Sequence, residues 1–410
     1  MNRRKFIKAA GVTVAAAIAA PAIISSRSAR ADAIKVGAMH DRTGSHGIYG
    51  KEMDDAIKFV IEEINANGGV LGQQLDLVAF DTQSNMQNYA QYGQRLAAQE
   101  RASVVFGGIS SASRETVRPI FDRFKMLYFY NTFYEGGVCD KTVFVGGETP
   151  AQMIGPALKY SMEKFNAKKI YTIWADYNYG HICSKWFNKY TADYGGEVIA
   201  TEFFPLDVTD FSTTITKIQE AKPDMVMSGL VGGAHIGFYR QWPAAGMLTR
   251  IPLHSTVFGP WEKSFLKPEE IEGIVSSFHY FQSIESAANA AFLDKWRAKF
   301  GADYAELGTL AVCTYNAPYL WKAAVEKAGT FDRDPVIAAL ESGISFEGPG
   351  GKVSIDPQTH HNIMSTAVAE VHDGEFDIVA RNQDVHPEDT ASVCDLIANP
   401  NQATQYIPED

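Results

Sequence analysis

The side chains able to do chemistry are poorly grouped for catalysis. Gly108-x-Ser110-x-Ala112 lies between an apolar run and a helical pattern, loosely like the turn that exposes a nucleophilic serine. His235, His254, His279, His360 and His361 follow it, as partners would have to. However, Ala112 replaces the second glycine, and serine at such a place is an ordinary helix cap. His360 and His361 are adjacent rather than one helical turn apart, and there is no His-Glu-x-x-His string. No Gly-x-Gly-x-x-Gly follows the first apolar run, and no phosphate-loop motif occurs. The expectation is a chain that is not an enzyme and carries neither metal nor cofactor.

Hydroxyl and aromatic side chains offer a different chemistry, the holding of a small polar molecule. The relevant strings are Gly107-Gly108-Ile109-Ser110-Ser111, Tyr130-Asn131-Thr132-Phe133-Tyr134-Glu135, Asp176-Tyr177-Asn178-Tyr179-Gly180, Leu230-Val231-Gly232-Gly233 and Gly259-Pro260-Trp261-Glu262. Each follows a short apolar run. Such runs alternate with amphipathic stretches. Extended segments are predicted at 34–39, 75–80, 103–106 and 126–130, with helices at 52–65, 90–101 and 113–124 between them. The pattern restarts with helices at 152–165, 183–194, 210–221 and 234–245 and strands at 169–174, 198–204, 224–228 and 252–256. Such alternation means parallel sheets covered by helices on both faces. In open parallel sheets ligands sit beyond the carboxyl ends of the strands, which is where these strings fall. Two successive units place the site in a cleft between two lobes. Ser110 and Ser111 read equally well as helix caps, and Tyr130 and Tyr134 as rim packing.

From about 275 the pattern changes: an extended segment at 275–284, helices at 287–300, 308–328 and 334–341, then strands at 351–356, 366–371 and 376–380. Residues 383–410 read as an irregular surface tail. The predicted layout is an N-terminal lobe of 32–148 with 280–345, a C-terminal lobe of 149–279 with 346–382, and a multi-strand hinge.

The chain has 410 residues, 46% hydrophobic and 21% charged, which is globular composition. Six of its basic residues fall within the first 31, which hold no acid, so the remainder sets 31 bases against 48 acids. So acidic a body repels nucleic acid and anionic membrane. Residues 1–31 read as an export signal: Arg3-Arg4-Lys5, an apolar middle, then Ala29-Arg30-Ala31. The paired arginines resemble the twin-arginine export signal, with cleavage expected before Asp32 and a periplasmic product. Of the four cysteines none are in Cys-x-x-Cys spacing. Cys139 and Cys394, expected at the surface in a loop and in the tail, are the preferred disulfide pair. Cys313 is expected to be a buried small hydrophobe.

The export signal, Ile34-Lys35-Val36-Gly37 and the helix end Glu62-Glu63-Ile64-Asn65-Ala66-Asn67-Gly68-Gly69 together resemble type I periplasmic solute-binding proteins of ABC importers, the group that includes branched-chain amino acid receptors. Phe129-Tyr130-Asn131-Thr132-Phe133-Tyr134-Glu135-Gly136 and Asp176-Tyr177-Asn178-Tyr179-Gly180 are similar to the urea and short-chain amide branch. The resemblance implies two Rossmann-like α/β lobes, a small-molecule ligand, ABC permease subunits as partners, and a monomer or weak dimer. It puts Ser111, Tyr130, Thr132 and Tyr177 at ligand-contacting positions, with Tyr179 nearby. Ser110, Tyr134, Gly232 and Trp261 complete the expected set from their places at strand ends. Ile109, Asn131 and Gly180 depart from that branch, and Thr43-Gly44-Ser45-His46-Gly47-Ile48-Tyr49-Gly50 is more similar to the amino acid receptors. The preferred ligand is a urea or short-chain amide, with an amino acid second; the alternative of a different class is a ligand sensor on the same fold, touching a kinase or receptor rather than a permease. An amino acid's ammonium would need Glu135, Asp176 or Glu262.

Overall fold

The computed structural model describes residues 33–409; the expected export signal and its expected cleavage triplet lie outside them. The first lobe holds β1 (Ile34–His40), β2 (Leu75–Asp81), β3 (Val104–Gly107), β4 (Leu127–Tyr130), β5 (Val138–Asp140) and β6 (Val143–Val145). All but β5 join one parallel sheet in the order β2-β1-β3-β4-β6. Alternation along the strands explains why helices cover both faces. Val104 and Phe106 pack with the helices Gly47–Ala66 and Thr309–Ala328, while Val105 packs with Met86–Arg95 and Ser111–Phe124. In Gly47–Ala66 the apolar stripe Met53, Ile57, Val60, Ile61 and Ile64 is buried. That helix begins five residues before its predicted start of 52, because His46 provides no side-chain cap to mark its origin.

The second sheet has nine strands. Five are parallel: β7 (Lys169–Ala175), β8 (Glu197–Phe204), β9 (Met225–Gly229), β10 (Leu253–Ser255) and β11 (Val275–Phe278). Four antiparallel strands extend it: β12 (Ser345–Gly348), β13 (Gly351–Ile355), β14 (Asn362–His372) and β15 (Glu375–Val385). The chain passes between the lobes after β6, after β11 and before β12. Glu148 ties the first two passages together, since its Oε1 accepts the His279 N–H at 2.5 Å and the Thr309 hydroxyl at 2.6 Å. Val353, Ile355 and Met364 reach into the first core from the second sheet, so β13 and β14 bridge the lobes.

Two expectations need correction. The extended run predicted at 275–284 is a strand only over Val275–Phe278. The segment 383–410 is more ordered than an irregular tail: β15 runs on to Val385, Glu388–Ala391 is a helical turn, and β16 (Ala403–Gln405) pairs antiparallel with β5. Cys139 lies in β5 rather than in a loop, and is joined to Cys394 as a disulfide. Neither is at the surface; they are 0% and 1% exposed and pack with Leu396. A three-residue strand shows no periodicity, and its partner is more than 250 residues away, so neither β5 nor the burial it brings was legible locally.

Candidate functional site

A cavity opens where the carboxyl ends of the strands of both sheets meet. His46 and Tyr49 follow β1, Ile109 and Ser111 follow β3, and Tyr130, Thr132, Phe133 and Glu135 end or follow β4. Tyr177 and Tyr179 come from beyond β7, Val231 from beyond β9 and Val257 from beyond β10. Leu310, at the start of Thr309–Ala328, completes the lining. The space inside it is about 370 Å³, open solvent at the mouth included. Gly108 makes the tight turn possible: its φ is +85°, and a Cβ there would lie 2.5 Å from the Tyr128 hydroxyl and 3.2 Å from the Tyr130 ring.

Ser110 caps the helix Ser111–Phe124, its hydroxyl accepting the Ser113 N–H at 3.1 Å. Ser111 is thereby held at the first helical position, and its hydroxyl donates to Glu135 Oε2 at 2.7 Å. Glu135 and Arg114 are both fully buried and paired at 2.6 Å. Arg114 lies over the rings of Tyr130 and Tyr134, at 5.1 and 4.8 Å. Burial opposes charge on Glu135, but the Arg114 guanidinium and the hydrogen bonds from Gln405 and Ser111 outweigh it and hold the carboxyl below its usual range. Burial lowers His46, so it faces the cavity as a neutral ring. Burial also raises the phenols of Tyr130, Tyr177 and Tyr179, which stay protonated donors. The lining is therefore internally neutral, with its one carboxylate already paired.

Other donors are engaged within the walls. Tyr130 donates to the Ile109 carbonyl at 2.5 Å, Thr132 to the Gly108 carbonyl at 2.9 Å and Tyr179 to Thr256 Oγ1 at 3.3 Å. Across the cleft the Tyr49 hydroxyl donates to Glu262 Oε1 at 2.6 Å and accepts the Gly232 N–H at 3.1 Å. That contact joins the lobes directly.

Of the residues singled out from sequence, Ser111, Tyr130, Thr132, Tyr177 and Tyr179 line the cavity. Four do not. Ser110 is the helix cap. Tyr134 turns away to stack on His361, with its hydroxyl 2.5 Å from Nε2. Gly232 gives its N–H to Tyr49, and Trp261 packs edge-on against the Tyr49 ring. His46, Tyr49, Ile109, Phe133, Val231, Val257 and Leu310 were not singled out. The first two stand in the post-β1 string already noted, so their place at a strand end was an available signal. Of the carboxylates considered for an ammonium, Glu135 is bound by Arg114, Glu262 by Tyr49, and exposed Asp176 by His181 at 2.8 Å.

One arrangement resembles hydrolytic machinery. Ser255 Oγ lies 3.5 Å from His235 Nε2, and His235 Nδ1 lies 3.5 Å from Glu262. All three are fully buried, and the Ser255 hydroxyl already accepts the N–H of Val257 and Phe258 and donates to the Ser228 carbonyl. They act as a structural turn. Among the described residues no cluster of His, Cys, Asp and Glu could hold a metal, and no helix is long and apolar enough to cross a membrane.

Two α/β lobes with a cleft at their strand ends define a type I periplasmic binding fold. The family model for the periplasmic binding protein domain matches residues 34–393, and the chain belongs to that family. A Leu/Ile/Val-binding protein homologue of Brucella melitensis is 25% identical over 86% of this chain and 92% of its own length. The leucine-, isoleucine-, valine-, threonine- and alanine-binding protein of Pseudomonas aeruginosa is 26% identical over 85% and 92%. A solute-binding protein of an ABC transporter from Rhodopseudomonas palustris, solved with p-hydroxybenzoic acid, superposes with a TM-score of 0.77 at 25% identity, covering 88% of this chain and all of that one. The chain is an ABC-type solute-binding receptor, not an enzyme.

Proposed function

We propose that this receptor works in the periplasm, takes a small uncharged ligand of the urea or short-chain amide class into the cavity, and presents the closed form to the permease of an ABC importer. The observation that carries this reading is the neutrality of the lining: Glu135 is matched by Arg114 and His46 is uncharged, so a ligand charge would meet no free counter-charge. Ser111, Tyr130 and Thr132 from one lobe and Tyr177 and Tyr179 from the other are the proposed contacts. A planar amide can lie against the Tyr177 and Tyr179 rings, which are stacked 6.1 Å apart, with its polar edge toward Ser111. Closure then follows from one ligand touching both lobes.

A second reading, an aliphatic amino acid, draws on the relatives named for leucine, isoleucine and valine and on the apolar Ile109, Val231, Val257 and Leu310 in the lining. A thermal-shift series on the mature protein separates the two. A ligand at about 100 times its dissociation constant stabilises by about 2.7 kcal/mol. The first reading expects that response to acetamide or urea and none to leucine or benzoate. A response to leucine alone overturns it in favour of the second. Tyr177→Ala should abolish whichever response appears.

A further inference from the structure

The C-terminal segment runs behind the wall of the cavity and is fastened there at several points. β16 pairs with β5, placing Gln405 opposite Val138, and the Tyr406 N–H donates to the Gly137 carbonyl at 2.8 Å. Gly137 must be glycine for this approach: its φ is +81°, and a Cβ would lie 2.1 Å from the Tyr406 carbonyl oxygen. Upstream, Thr390 Oγ1 accepts the Gly137 N–H at 3.0 Å, Asp389 accepts the Thr149 hydroxyl at 2.6 Å, and Cys394 is joined to Cys139.

This strap delivers one polar side chain inward. Gln405 Nε2 donates to Glu135 Oε1 at 2.7 Å and to the Gly136 carbonyl at 3.1 Å, while its Oε1 accepts from Arg114 Nη2 at 3.0 Å. Gln405 is 270 residues from Glu135 in the chain. Arg114 and Gln405 together occupy Glu135 Oε1, leaving Oε2 for the Ser111 hydroxyl. With its proton committed to Glu135, the Ser111 oxygen has lone pairs left for an N–H donor in the cavity.

We propose that Gln405 is a positioning residue of the ligand site: by pinning Glu135 against Arg114 it turns Ser111 into an acceptor for a ligand N–H. The inference rests on the cavity being the solute site. It extends the binding site to the C-terminal strap, and makes the strap a determinant of ligand choice rather than only a brace.

The test compares the full mature chain with Gln405→Ala, Gln405→Glu and Gln402→Ala. Gln402 lies in the same strap and bonds the Tyr406 hydroxyl at 2.7 Å, so it is the control. Two measurements are made at about pH 5.5 and about pH 8: calorimetric affinity for acetamide, urea and leucine, and hydrogen exchange of the 110–114 and 133–138 amides without ligand, relative to wild type. Gln405→Ala should weaken binding about tenfold, as loss of a hydrogen bond to a charged group does, and speed exchange in both segments. Gln405→Glu should be as impaired at the higher pH, where two carboxylates face each other beside Arg114. At the lower pH it should recover, because a proton shared by the pair restores the donor. The other groups facing Glu135 are Ser111 on the same helix as Arg114, Tyr130 at the end of β4, and Tyr177, Tyr179 and Cys183 from the second lobe, while Arg114 also pairs with Glu115. Gln402→Ala should match wild type. The proposal is overturned if Gln405→Ala matches Gln402→Ala, or if the Gln405→Glu defect is the same at both pH values. Should no solute bind the wild type, the ligand reading fails by itself, and the exchange profiles still decide the role of Gln405.

Discussion

On the first-lobe side of the cavity Ser111, Glu135, Arg114 and Gln405 form a closed set of hydrogen bonds backed by the strap. The second-lobe side offers Tyr177, Tyr179, Val231 and Val257, with Tyr179 reaching Thr256 at 3.3 Å. The first wall is prearranged: its charges are buried, paired and held from behind, so under the proposed reading it meets a ligand's polar edge without reorganising. The second wall mixes two aromatic rings with two aliphatic side chains and carries no ion pair, and under the proposed reading what it adds is area covered on closure. The proposed reading thus divides recognition and closure between the lobes, and Tyr49 is a direct hydrogen-bonded link, joined to Glu262 and to the Gly232 N–H across the cleft.

This division can be broken at graded cost. Arg114→Met leaves Glu135 buried without its counter-charge, and removal of one partner from such a pair costs about 3–5 kcal/mol. A chemical denaturation midpoint unchanged from wild type would show that the first wall is not held by this pair. Replacing Cys139 and Cys394 together by serine releases a loop of more than 250 residues and should cost about 2–4 kcal/mol in the same measurement. An intact mass that does not change on reduction of the wild type would remove the premise. Tyr49→Phe deletes the cross-cleft hydroxyl and leaves the Glu262 carboxylate one donor short, at about 1–3 kcal/mol. Its signature should be a more open ligand-free form in small-angle scattering, with the stability of each wall little changed. Ser212→Ala, at an exposed position outside the cavity lining, should stay within about 0.5 kcal/mol and leave affinity untouched.

Much of the site was legible because it obeys a topological rule. The strings that hold Ser111, Tyr130, Thr132, Tyr177 and Tyr179 could be picked out since parallel strands alternate with helices and ligands gather at the strand ends, whereas the choice of these residues within the strings came from the resemblance to solute-binding proteins. The same rule placed Ser110, Tyr134, Gly232 and Trp261 in the right neighbourhood, but proximity in sequence does not decide which way a side chain turns. Tyr134, four residues after Tyr130, points to His361 instead of the cavity, because His361 arrives from β14's approach, far along the chain. Glu135 was visible as a carboxylate, but its pairing was not. Arg114 stands 21 residues before it in the chain, and only the folded structure brings the two within 2.6 Å.

What the sequence determined by itself was therefore local and periodic: the alternation of strands and helices, the buried stripe Met53, Ile57, Val60, Ile61 and Ile64, the cap at Ser110, and the hydroxyl-rich strings that follow the strands. What only the tertiary structure decided was non-local: the pairing of β16 with β5, the burial of Cys139 and Cys394, the meeting of Tyr49 with Glu262, and the reach of Gln405 to Glu135. The physical reason is that periodicity reports which face of an element avoids water. A single hydrogen bond between residues more than 200 positions apart leaves no period in the sequence, and its partners are chosen only when the two lobes and the strap have packed.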